Sequence, residues 1–139
     1  MSRRLWVAAG LLALAAACRP HDLPKVAELK AILASRNDND PRLDRDFDAL
    51  TAADKAAFRA LYRALPPEKR NELGTVVYLL GRNVSGPEDW AFLRAAAAEP
   101  RCWSLADCGR RPSGPSDPAD VGDDVTLAYP ALVALKRAE

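Results

Sequence analysis

The chain has 139 residues, with 20 basic and 19 acidic side chains and a formal charge of +1. That length holds one domain, and so even a charge balance leaves no basic stripe of the kind nucleic acid requires. Apolar residues make up 49% but aromatics only 6%, so the expected core is one of small and aliphatic side chains, which suits closely packed helices.

Arg3 and Arg4 precede an apolar run from Leu5 to Ala17. Thirteen residues fall short of the about 20 that a membrane-spanning helix needs. A basic flank before a short apolar run is instead the pattern of an export signal. The run closes on Leu14-Ala15-Ala16-Ala17-Cys18, which resembles the lipobox of bacterial lipoproteins. Ala15 stands where Leu is usual, and Leu14 comes one place early. The resemblance covers the first 18 residues. It implies cleavage before Cys18, a diacylglycerol on the Cys18 thiol with further acyl chains such as palmitate, and a periplasm-facing place in the cell envelope. By the family's sorting rule, Arg19 rather than Asp after the cysteine favours the outer membrane. The other reading is an ordinary signal peptide cut after Ala17.

The chain therefore divides into a signal peptide (1–17), a tether (18–23) and a domain (24–139). Losing the leader removes Arg3 and Arg4 and leaves 18 basic against 19 acidic residues. Each buried acyl CH₂ contributes about 0.8 kcal/mol, so a lipidated Cys18 would anchor the protein without any membrane-binding face on the domain. The partners expected are the membrane, through that lipid, and an envelope protein of unknown identity.

In the domain, Pro24 suits a first helical turn, and Val26, Leu29, Ile32 and Leu33 mark one face of a helix to about Ser35. Residues 37–48, NDNDPRLDRDFD, read as a polar loop. Thr51 and Asp54 form a capping-box-like start, followed by a stripe of Phe58, Leu61, Tyr62 and Leu65. Pro66-Pro67 stops that helix and Pro67 is placed to open the next, with Glu68 in its first turn. Leu73, Val76, Val77 and Leu80 repeat the stripe, and Gly81 is placed to end it. Gly74 inside that helix costs about 1 kcal/mol relative to Ala, so a close helix–helix approach is expected there. Ser85-Gly-Pro-Glu88 starts another helix carrying Trp90, Phe92, Leu93 and Ala97, closed by Pro100. Residues 102–109 form a compact loop and 110–124 an irregular connection. Pro130 predicts an extended or kinked start and a final helix docked by Leu132, Val133 and Leu135.

The sum is an all-α domain, a small bundle or short helix-pair array of about five helices. The pair Asn71–Gly81 and Pro87–Glu99 resembles one HEAT-type repeat, and Tyr129–Lys136 resembles the second helix of another. That resemblance implies an interaction surface made by stacked helix pairs.

Cys102 and Cys108 are the sharpest chemical signal. Export places them where neighbouring thiols oxidise, so a disulfide is expected. Five intervening residues do not suit a redox C-x-x-C pair, and a structural zinc site lacks ligands because the only histidine, His21, lies in the tether. Asp38, Asp40, Asp44, Asp46 and Asp48 invite a calcium reading, but the EF-hand register from Asp44 puts Ala49 at the turn glycine and Lys55 at the closing Glu. Local Arg–Asp pairing is the expectation, with no metal and no cofactor. The absence of a domain histidine removes Ser–His–Asp and Cys–His catalysis. Glu68, Glu72, Glu88 and Glu99 could serve a glycosidase but fit helix starts and exposed faces equally well. Trp90, Phe92 and Trp103 are either an interaction patch or core, and core is expected. Asn83-Val-Ser85 matches a glycosylation pattern, which the bacterial source implied by the lipobox resemblance makes a chance match. The expected function is a lipid-anchored, non-catalytic adaptor; the alternative is a carboxylate-dependent cell-wall hydrolase or an inhibitor of one. Mass spectrometry of the mature amino terminus should find diacylglycerol on Cys18, and a normally cleaved but unmodified Cys18 would sink the lipoprotein reading.

Overall fold

Helix formation follows the apolar spacing through the first half of the domain. The structure, a computed structural model, describes residues 23–111, 113, 114 and 121–139; Cys18, His21 and most of the tether lie outside these. Helix α1 (Pro24–Ser35) has its proline in the first turn and buries Val26, Leu29 and Ile32. Helix α3 (Ala52–Ala64) begins on the full capping box, Thr51 accepting from the Asp54 N–H while the Asp54 carboxylate accepts from Thr51. Helix α4 (Arg70–Arg82) and helix α5 (Pro87–Ala97) follow. The described residues contain no strand, so the domain is all-α, as expected.

Four local expectations are corrected. The acidic loop is not merely polar: it contains a single helical turn, α2 (Arg42–Arg45), and Leu43, Phe47 and Leu50 from it are buried. Their i, i+4, i+7 spacing was the signal. Pro67 and Glu68 occupy a turn, and α4 starts only at Arg70. Gly81 does not end α4, which runs on to Arg82 and is closed by Asn83. In the final segment, α6 (Val121–Leu127) takes the end of the expected irregular connection, and of the extended or kinked start it is the kink that is found, a break at Ala128 before α7 (Tyr129–Ala138). Pro130 lies in the first turn of α7, where its missing N–H breaks no helical bond. The bundle thus has seven helical segments among the described residues, two more than expected.

Helix α4 is the centre: 8 of its 13 residues are buried, far more than one stripe. Its main partner is α7, which also covers α5, whereas α4 and α5 touch each other less. The dominant packing therefore joins segments distant in sequence, as in a bundle, rather than stacking consecutive pairs as an array does.

The α4–α7 contact rests on two glycines seven apart. A Cβ on Gly74 would overlap the Tyr129 ring, and one on Gly81 would come within 2.6 Å of the Arg137 Cγ. The close approach expected at Gly74 is present. Small residues at these points let α7 lie nearly on the α4 backbone, with Ala134 fully buried between. This rotates α7 so that Leu132 and Leu135 face solvent, Leu135 being 54% exposed, and only Val133 of the three expected residues packs on the core. Arg137 continues the seam, its guanidinium 4.5 Å from the Tyr78 ring centroid. Gly74→Val should lower stability by about 2 kcal/mol or more through overpacking. Denaturant unfolding should show part of that loss recovered in the Gly74→Val/Tyr129→Ala double variant; a neutral Gly74→Val would refute the seam.

Candidate interaction surface

The aspartates of the acidic loop are paired with arginines. Asp40 accepts from the Arg42 Nε at 2.9 Å and Nη2 at 2.7 Å, bonds that hold its carboxyl down at about 2. Arg45 takes Asp46 at 2.5 Å and 2.7 Å. Arg82 reaches from α4 to Asp44 at 3.0 Å and Asp48 at 2.6 Å. Arginine thus pairs Asp40, Asp44, Asp46 and Asp48, and among the described residues no cluster of three metal-ligating side chains exists. Asn83 is likewise committed: its Nδ2 donates to the Phe47 and Leu79 carbonyls and its Oδ1 accepts from the Leu50 N–H, tying the loop to the end of α4.

A second cluster is buried between α3 and α5. Lys55 Nζ donates to Asp89 Oδ2 at 2.6 Å, to Ser85 Oγ at 2.6 Å and to the Asn83 carbonyl at 3.1 Å. Arg59 donates to the other Asp89 oxygen at 2.9 Å. A lysine beside a serine can act as a base only when neutral. Here Asp89 is the obstacle: burial pushes its carboxyl up, but the Lys55 bond, the Ser85 N–H and the Arg59 charge outweigh that and hold it below its ordinary value. All three Lys55 Nζ bonds are taken up by Asp89, Ser85 and the Asn83 carbonyl, so the cluster is a clamp. It also sets the rotation of α5. Burying Asp89, Leu93 and Ala96 on one face turns Trp90 outward, 40% exposed.

One cavity of about 100 Å³ opens between the end of α1 and the start of α4, over Ile32, Leu33 and Thr75, with Arg36, Asp38 and Glu72 around it. Small-molecule sites run to roughly 300–1,000 Å³. Glu72 is paired with Lys69 at 3.4 Å.

The remaining feature is the loop after α5. Cys102 and Cys108 are joined as a disulfide with their Cα atoms 4.3 Å apart. The ring is closed internally by the Trp103 N–H on the Cys108 carbonyl at 3.0 Å and by Ser104, which both donates to and accepts from the Asp107 backbone. It is seated externally at two points: the Cys102 N–H donates to the Leu127 carbonyl at 3.1 Å, and the Cys108 N–H to Glu68 Oε1 at 3.1 Å. Glu68, expected as a helix-start residue, instead holds the ring. Cys108 Sγ also lies 3.2 Å from the Pro67 carbonyl oxygen.

Trp103 was expected against the helices, yet it stands 39% exposed, because the ring's inward bonds are made by backbone and by the buried Cys102. The guanidinium carbons of Arg101 and Arg111 lie 5.1 and 5.2 Å from its ring centroid, within cation–π reach. Leu105 is exposed beside it in the ring. Of the three aromatics, only Phe92 belongs to the core, packed edge-on to Tyr62 with centroids 5.2 Å apart. The arginines were missed from the sequence, although Arg101 and the Arg110-Arg111 pair directly flank the two cysteines.

The ring sits at one end of α4, by Pro67 and Glu68. At the other end lie the carboxy-terminal Asn83, the Phe47 carbonyl that it binds, and Lys25 of α1, whose Nζ donates to the Asp46 carbonyl and lies 5.7 Å from the Phe47 ring centroid. Leu23, which leads into α1, is therefore at the end opposite the ring.

No family model matches the chain, and neither a curated protein nor a solved structure matches it. Among the described residues no helix is long and apolar enough to cross a membrane. The clamp carries its own test. Because the Asp89 pKa is lowered in the fold, its stabilisation is present above the unfolded value of about 4 and is lost as pH falls through the folded value. Asp89→Asn should cost about 3 kcal/mol at neutral pH, since it strands a buried Lys55. Thermal unfolding across pH should show the gap between the two proteins narrowing in acid; a gap that does not depend on pH would contradict the assignment.

Proposed function

We propose that this chain is a lipid-anchored, non-catalytic interaction module of a bacterial cell envelope, held to a membrane through Cys18 and presenting its disulfide ring to a protein partner. The observation that carries this reading is the placement of Leu23 and the ring at opposite ends of α4. A tether of six residues reaches at most about 20 Å, and 13 helical residues span about 20 Å. A lipid at Cys18 therefore holds the Leu23 end at the bilayer and lets the ring face away from it. The ring is rigid before it meets anything, so little side-chain and loop entropy is lost when it docks. Exposed tryptophan and arginine are the residue types that dominate interface energetics.

The rival reading, a carboxylate-dependent cell-wall hydrolase, draws little support: Asp40, Asp46 and Asp89 all shift towards the ionised form because cationic partners hold them there, whereas a general acid needs its pKa raised. An inhibitor of such a hydrolase would be one instance of the interaction module. Envelope fractionation should find the wild-type chain with membranes and Cys18→Ser either in the soluble periplasm or retained as precursor. A photoreactive residue at position 105 should cross-link to a protein in intact cells, while one at position 27 on the exposed side of α1 should not. Equal labelling from both positions, or none from 105, would defeat the proposal.

A further inference from the structure

Resting on that reading, we propose that the ring binds an acidic segment of its protein partner, with carboxylates against Arg110 and Arg111 and an apolar side chain against Trp103 and Leu105. Charge complementarity is the ground for this. The described acidic groups nearest the ring in these contacts are already engaged. Asp107 accepts the Gly109 N–H at 3.0 Å, Glu68 accepts the Cys108 N–H, and Asp124 stands 3.6 Å from Arg101. Glu99 accepts the Tyr62 hydroxyl at 2.7 Å. No ion pair to a described acidic residue neutralises Arg110 or Arg111, and both are exposed. Arg111 rests near the Trp103 ring, which steadies a planar fork that can take a carboxylate through two parallel bonds.

The apolar half of the site is Trp103 and Leu105, presented on a ring whose backbone is fixed by the disulfide and by the bonds to Leu127 and Glu68. An aromatic anchor with arginines at its rim selects a ligand that combines negative charge with one bulky apolar group. An anionic membrane also has that combination, but the ring lies at the end of α4 away from Leu23, so a protein segment is the occupant favoured.

The test titrates the full chain, purified from the envelope and labelled with ¹⁵N, with the acetylated peptide DEDFLDED and with its basic counterpart KRKFLKRK. The acidic peptide should move the Trp103 indole N–H resonance saturably and the basic one should not. Raising salt from about 0.05 to about 0.5 M should weaken binding by about tenfold. Trp103→Ala should weaken it by about thirtyfold and the Arg110→Ser/Arg111→Ser pair by about tenfold or more, with circular dichroism unchanged. Indifference to both peptides, an equal response to both, or tighter binding of the ring to phosphatidylglycerol vesicles than to the acidic peptide would overturn the proposed partner chemistry. A cross-link at position 105 combined with a silent titration overturns only that chemistry and leaves the anchored interaction module standing; loss of both overturns the two together.

Discussion

The close approach of α7 to α4 is the contact on which the rest of the arrangement depends. Gly74 and Gly81 remove side chains from one face of α4, and Tyr129, Ala134 and Arg137 fill the space. Because only Ala128 separates α6 from α7, fixing α7 positions the Leu127 carbonyl, and that carbonyl accepts the Cys102 N–H. The position of the disulfide ring is thus inherited from a helix–helix seam. The other support of the ring, Glu68, stands in the turn that leads into α4. Both anchors of the exposed Trp103 loop therefore trace back to the same central helix. A glycine in a helix costs about 1 kcal/mol in propensity, and here that cost is offset by dispersion contacts that only a bare backbone permits.

Polar groups inside the bundle act in opposite directions. Lys55, Asp89, Ser85, Asn83 and Arg59 satisfy one another, with the Lys55 and Asp89 side chains 9% and 6% exposed. Such a pair contributes little net stability against an apolar substitute but penalises any packing that would separate its members. It fixes which face of α5 turns inward. Arg70 is the contrary case: the residue is 3% exposed, its Nη1 meets the Pro67 carbonyl at 3.4 Å, and its Nε and Nη2 have no partner. Unmet donors of this kind cost about 1–3 kcal/mol, and nothing in the fold offsets them directly. Its charge lies near the buried Tyr62 hydroxyl, whose pKa is pushed up by burial and by the Glu99 bond, and Arg70 works against that rise.

An exposed tryptophan on a flexible loop would lose entropy on binding, and an exposed tryptophan on a helix face would be hard to tell from incidental surface. Trp103 is neither. Its loop is covalently closed, internally hydrogen-bonded and held by Leu127 of α6 and by Glu68 in the turn before α4. Trp90, with the same exposure, lacks these features: it stands on the solvent side of α5 because Asp89 must face inward. The two residues look alike in the sequence and differ only through what holds their neighbours.

Local physics was readable from the chain alone. Pro24, the Thr51–Asp54 box and Pro87 start helices where they should, because capping and proline geometry act within a few residues. The stripes on α1, α3 and α4 were legible because a 3.6-residue period needs no knowledge of the partner. The Cys102–Cys108 pairing was legible because two cysteines so close in the chain can close a short loop on each other. What the chain could not disclose is which face meets which. Leu132 and Leu135 were expected inside, yet the glycine seam turned α7 until Ala134 took that place, and hydrophobicity alone cannot predict that rotation. Leu43 and Phe47, hidden among aspartates, are core, while Arg42, Arg45 and Arg82 pair with the neighbouring aspartates. The gathering of Arg101, Trp103 and Arg111 on a ring held by Glu68 and Leu127 joins residues up to 59 positions apart. Tertiary structure decided that surface, because long-range packing places groups that no local spacing connects.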